Sequence, residues 1–126
     1  MVRRLVEIIN ARQFDDLEEV ATAELAPKLR RAFEQFLVAF PDWHQEVVEL
    51  VAEGDTVAAR YRCTGHQAAT WQGLEPTGAA MDVDEVSFIR VQAGRITSVW
   101  SLEDTWTRAR QLAGREVPAG ELGSLS

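Results

Sequence analysis

The sequence predicts an α+β fold in which helices pack on one face of a mainly antiparallel, curved sheet. Three observations predict it. Apolar residues up to Phe40 recur with the 3.6-residue period of helices. Beyond Pro41 the pattern alternates with period two, the mark of half-buried strands. The helical segments precede the strands instead of alternating with them, which argues against a parallel α/β sheet.

Each element has its own signal. Val2, Leu5, Val6 and Ile9 follow the i, i+3, i+4, i+7 rule, so the first dozen residues form an amphipathic helix. Phe14 to Val20 reads as a short second helix, with Asp15 and Asp16 at the positive end of its dipole. Pro27 stands where a third helix starts. Leu29, Phe33, Phe36, Leu37 and Phe40 supply its apolar face, and Pro41 ends it. Residues 44–53 read as a strand and Glu53-Gly54-Asp55 as a turn. Residues 56–67 alternate, with Val57, Ala59, Tyr61 and Cys63 on one face and Arg60, Arg62 and Thr64 on the other. Residues 68–80, with Gly73, Pro76, Thr77 and Gly78, form a loop. Residues 81–92 are a third strand, Ala93-Gly94 turns the chain, and Arg95 to Glu103 returns as the last strand. Thr105 to Ala113 is a closing helix. The reading is one domain over 1–113 and a loose tail over 114–126.

Composition narrows the function. A net charge of −7 and a pI near 4.8 argue against nucleic acid and anionic membrane as partners. The single cysteine, Cys63, excludes an intrachain disulfide and a cysteine-based zinc site; within its apolar run it reads as an inert, buried thiol. With two histidines there is no histidine-rich metal cluster. The glycines are spaced as turns, not as GxGxxG or GxxxxGK, and GxSxG, CxxC and HExxH are missing. No cofactor or metal is expected. The N-terminus is too short and interrupted for a signal peptide, and no stretch approaches a membrane span, so a cytoplasmic protein is expected.

The stretch SVWSLEDTW, 98–106, holds the richest chemistry. By strict alternation Ile96, Ser98, Trp100, Leu102 and Asp104 share one face, and Thr97, Val99, Ser101 and Glu103 the other. If the Trp100 face lines a pocket, Asp104 is the inward acid and Glu103 the solvated one. A carboxylate against apolar walls loses hydration, its pKa rises, and it becomes a proton shuttle near neutral pH. Asp104 is equally placed to cap the closing helix. Gln67, in phase with Tyr61 and Cys63, would hydrogen-bond a substrate carbonyl or oxyanion, or sit at a polar rim. Tyr61 is a donor in the same cavity or a core tyrosine. His66 falls on the Arg60 and Arg62 face unless a bulge at Gly65 reverses it. His44 is a candidate base or an exposed strand start. Trp71 is a candidate lid, Trp100 a wall and Trp106 an anchor for the closing helix. Asp82, Asp84 and Glu85 resemble a solvated strand start; Asp84 and Glu85 point to opposite faces, so only one of them could reach a pocket.

Several pieces together resemble the SnoaL-like polyketide cyclases of the nuclear-transport-factor-2-like superfamily. They are Asn10 with Asp15 and Leu17, FPD at 40–42, AEGD at 52–55, G-L-x-P-T-G at 73–78, G-R-I at 94–96, W-x-x-x-D at 100–104 and Q-L at 111–112. The resemblance implies a cone-shaped barrel, a bent sheet wrapped around a pocket with helices as floor and lid. It implies intramolecular aldol ring closure of a small apolar, oxygenated substrate of secondary metabolism, without cofactor, with Asp104 as acid/base. It also implies a homodimer joined through the outer sheet face, with Arg60, Arg62 and His66 at or near the contact. Where the family often carries a histidine this chain has Gln67, with His66 one place earlier, and the segment ATAELAP is short and plain. The superfamily also holds epoxide hydrolases, dehydratases, isomerases and proteins that only bind or dimerise. Epoxide opening would want a second carboxylate facing Asp104, from an inward Asp84 or Glu85, and an Arg or Asn to orient water.

Overall fold

The computed structural model describes residues 1–114; apart from Gly114, the expected tail lies outside the described residues. The order is α1 (Val2–Ala11), a 3-10 segment (Phe14–Glu19), α2 (Ala26–Ala39), β1 (His44–Glu53), β2 (Thr56–His66), β3 (Ala80–Gln92), β4 (Arg95–Glu103) and α3 (Thr105–Leu112). Four strands form an antiparallel sheet in the order β1-β2-β3-β4. Helices first and strands after give the α+β architecture that the periodicity predicts.

The expected short second helix is present as a 3-10 turn. Phe14 and Leu17 lie three apart, which suits a three-residue turn, and only Leu17 is buried there. The α1 face expected from its spacing is the buried one: Val2, Leu5, Val6, Ile8 and Ile9 join Phe40, Met81, Ile89 and Ile96 in the core. This core lies between the helices and the inner face of the sheet.

Both free edges of the sheet are tied to the helical layer. At the β1 edge, the Asn10 side chain accepts from Gln45 N (2.9 Å) and donates to Gln45 O (2.8 Å). Arg12, in the left-handed region at the end of α1, donates to Trp43 O (2.7 Å) and Pro41 O (3.0 Å). At the β4 edge, Ile96 N donates to Val20 O (2.7 Å) and Thr22 N donates to Ile96 O (3.1 Å). One residue of each edge strand, Gln45 and Ile96, thereby has its outward main-chain groups paired by the helical layer.

Two irregularities break strict alternation. In β1 the register shifts between Val47 and Glu49. Between β3 and β4, Arg90 pairs with Ser98 but Val91 with Ile96, so Thr97 is an extra residue in β4. The hairpin joining these strands turns at Ala93 and Gly94, both with positive φ (50° and 74°), as its two-residue turn demands.

Candidate active site

Thr97 decides which side chains of β4 face inward. Ile96 is fully buried, but after the bulge the phase reverses. Trp100 is 58% exposed and Leu102 64% exposed, while Glu103 turns toward the helices, its side chain 19% exposed. The expectation that Trp100 and Leu102 face a pocket is therefore overturned, because it assumed alternation without a bulge. Trp100 lies on the outer face against Phe88 (ring centroids 6.0 Å apart).

On the inner face the register aligns Val47, Tyr61, Glu85 and Glu103 across all four strands. Glu85 shares its parity with Met81, Val83, Ser87 and Ile89, all buried. Asp84 takes the outer face, where Arg60 Nη2 donates to its Oδ2 (2.9 Å). Gln45 Nε2 donates to Glu85 Oε1 (3.1 Å) and lies 3.8 Å from Cys63 Sγ. Arg108, from α3, is buried with its side chain 4% exposed and forms an ion pair with Glu103, Nη1 donating to Oε2 at 2.8 Å. Its guanidinium lies over Phe36 (5.6 Å) and Trp71 (6.0 Å). One row over, Ser87 and Ser101 share a 2.6 Å hydroxyl contact.

The electrostatics separate the two acids. Burial, then the neighbouring Glu103, pushes the Glu85 carboxyl up to about 7, against the opposing pull of Gln45 and Arg108. Burial also raises Glu103, but Arg108 sits directly on it and pulls back. Glu85, without a cation in direct contact, is thus the acid that exchanges a proton near neutrality. Burial holds the Tyr61 phenol at about 12 and pushes the Cys63 thiol up as well. Both stay protonated there.

Of the other expected site residues, Trp71 lies beside this group, under Arg108, and the rest fall elsewhere. Asp104 is the N-cap of α3, accepting from Thr107 N (3.1 Å) and Thr107 Oγ1 (2.6 Å). Gln67 is buried, and its Nε2 donates to Ala69 O (3.1 Å) and Leu74 O (2.8 Å), bracing the turn that carries Trp71. Trp71 packs edge-on against Phe36 with centroids 5.0 Å apart. His44 and His66 are exposed. The register runs through Gly65 without a bulge, so His66 stays off the inner face, its Nδ1 2.6 Å from Asp42 Oδ2. Trp106, expected as an anchor, is exposed with Arg110 over its ring at 5.1 Å. Among the described residues, Trp43 Nε1, Trp71 Nε1 and Gln67 Oε1 are buried without a hydrogen-bond partner.

Sequence reasoning missed Glu103, Arg108 and Gln45 as inward groups. For Gln45 a signal exists, since it alternates in phase with Trp43 and Val47. For Glu103 the parity signal pointed the wrong way.

The SnoaL-like polyketide cyclase family model matches residues 1–112. The chain belongs to the SnoaL-like polyketide cyclase family. Membership suggests a cyclase-type activity on a small molecule. TsrD from Streptomyces laurentii superposes with a TM-score of 0.81 at 20% identity, covering 88% of this chain and 90% of that one. IdmH from Streptomyces antibioticus gives 0.79 at 24% identity, over 89% and 95%. A SnoaL-like polyketide cyclase from Agrobacterium tumefaciens gives 0.77 at 22% identity, over 85% and 91%. At these identities the likeness carries the fold of this SnoaL-like chain. No curated protein matches the sequence. No helix among the described residues is long and apolar enough to cross a membrane.

Proposed function

We propose that this chain is a cofactor-independent acid–base catalyst that closes a ring in a small, apolar, multi-carbonyl molecule, with Glu85 as the proton carrier. One observation carries the reading: a carboxyl titrating near pH 7 stands beside a buried Glu103–Arg108 pair on the inner face. Glu85 takes a proton from the carbon next to a substrate carbonyl. Arg108, steadied by Glu103 and by the faces of Phe36 and Trp71, stabilises the enolate oxygen. The enolate carbon attacks a second carbonyl of the same molecule, a carbon–carbon bond forms, and the new alkoxide takes the proton back from Glu85. Atoms balance without a co-reactant, so product and substrate are isomers. The partnerless indole N–H of Trp71 supplies a further donor for a substrate oxygen.

The test compares Glu85→Gln with Asp104→Asn on linear multi-carbonyl substrates. Asn is itself a good helix cap, so Asp104→Asn preserves the α3 start. Glu85→Gln is expected to lower turnover on the order of 10²–10⁴-fold with circular dichroism unchanged. Loss with Asp104→Asn alone would return the acid/base role to Asp104 and sink this assignment.

A second reading is favoured by the two inward carboxylates and their arginine. They also suit epoxide opening: Glu85 draws a proton from water as its oxygen bonds to an epoxide carbon, the ring C–O bond breaks, and the alkoxide takes the proton back from Glu85. Isotopic oxygen separates the two. Ring closure leaves the product mass unchanged, whereas epoxide hydration adds one water and places labelled solvent oxygen in the product.

We also propose a homodimer joined by the outer sheet face. Two rows support it, Val51-Ala58-Phe88-Trp100 and Glu49-Arg60-Val86-Leu102. They form an apolar band, and its rim carries both charge signs, with Arg60 and Asp84 paired there. A second copy turned by two-fold symmetry meets the same band with the opposite charges.

A further inference from the structure

We infer that Gln45 is a positioning residue for Glu85, held in place by Asn10, so that α1 tunes the acid/base on β3. The inference rests on the assignment of Glu85 above and concerns two residues that act through it.

Gln45 is 4% exposed and stands on the edge strand β1, opposite Cys63. Its amide reaches across β2, one hydrogen toward Glu85 Oε1 at 3.1 Å and the other toward Cys63 Sγ at 3.8 Å. The amide NH2 donates to the Glu85 carboxylate, a neutral contact that favours the ionised form without the grip of a cation. A lysine at position 45 would hold it ionised and a leucine would leave it unpaired.

The amide works only if its backbone is fixed, and an edge strand is the part of a sheet most free to shift. Asn10 supplies the missing half of the ladder there. Its side chain takes both main-chain groups of Gln45, at 2.9 and 2.8 Å, across 35 positions of sequence. Arg12 donates to the carbonyl of Trp43, two residues earlier. The path from α1 to Glu85 is thus Asn10 side chain, Gln45 main chain, Gln45 side chain, Glu85 carboxyl.

Other groups face Glu85 and set the background. Glu103 on β4 raises its affinity for the proton, and Arg108 on α3 lowers it. Tyr61 and Cys63 on β2 stay neutral through this range. Gln45 is a neutral contact that favours the ionised form by hydrogen bonding.

The test is a carboxyl-carbon NMR titration of glutamate-labelled protein, with Glu85→Gln used to assign the Glu85 signal. It needs no substrate, so it stands apart from the ring-closure reading. In Gln45→Leu the Glu85 midpoint should rise by about one pH unit, the worth of one such hydrogen bond. Gln45→Met, closer in shape, should move it the same way and guards against a packing fault in the leucine variant. Asn10→Ala should give a smaller upward shift, and Asn10→Ala with Gln45→Leu no more than Gln45→Leu alone, because both act through one contact. With an active substrate, the acidic limb of the pH–rate profile should follow the same shifts. An unmoved midpoint in both Gln45 variants overturns the inference. So does an Asn10→Ala shift that adds fully to that of Gln45→Leu.

Discussion

Each face of the sheet carries a local exception to the pattern of polar outside and apolar inside. On the outer face Val86, Phe88, Trp100 and Leu102 stand in solvent. On the inner face, in the same strands and one residue away, Glu85 and Glu103 are turned toward the helices. Neither arrangement is comfortable alone. Exposed apolar rows invite a partner, and inward acids with a buried arginine cost desolvation that packing alone does not recover. The contrast teaches that one register sets the character of both faces together. Val86 faces outward because Glu85 faces inward.

That contrast is broken most sharply from inside. Arg108→Met leaves Glu103 buried without its cation. It should cost about 3–5 kcal/mol in urea unfolding, and Glu103→Gln added to it should restore part of the loss. A loss under about 1 kcal/mol would mean that the pair is solvated and the inner face ordinary.

The next effect is one of pH. The folded value of Glu85, about 7, lies above its ordinary 4.5. Between these values the folded protein keeps a proton that the unfolded chain has released. The stabilisation this gives is fully present below the unfolded value and is lost as pH rises through about 7. Relative to Glu85→Gln, whose amide does not titrate, wild type should lose up to about 3 kcal/mol between pH 4.5 and 8. Stability curves that run parallel across this window would show that Glu85 is not held in a desolvated setting.

The outer face gives the gentlest test, because it asks only about association. Trp100→Asp should yield a monomer by light scattering, with the circular dichroism and the Glu85 titration unchanged. A monomeric wild type, or a dimer that survives the change, would leave the apolar band unexplained.

Much of the architecture was legible in the sequence because burial imposes period. The α1 spacing gave its buried face, and the alternation in β2 put Tyr61 and Cys63 inside. The site was less legible, for a reason specific to β4. Parity counting carries no information about bulges, so one extra residue at Thr97 exchanged the expected positions of Trp100 and Glu103. The parity of Glu85 was readable, since Met81, Val83 and Ile89 bracket it on one side of β3. Arg108 was not, because on a short helix an arginine reads as solvated until the fold sets Phe36 and Trp71 beneath it.

Thr97 also has a meaning for anyone reshaping this molecule. It works as a half-period delay in a wave: upstream, β4 belongs to the layer held by Val20 and Thr22, and downstream its sense is reversed. A redesign that grafts new lining residues onto the end of this strand must therefore take its count from Ser98, not from the hairpin. Otherwise every intended lining group arrives on the wrong side.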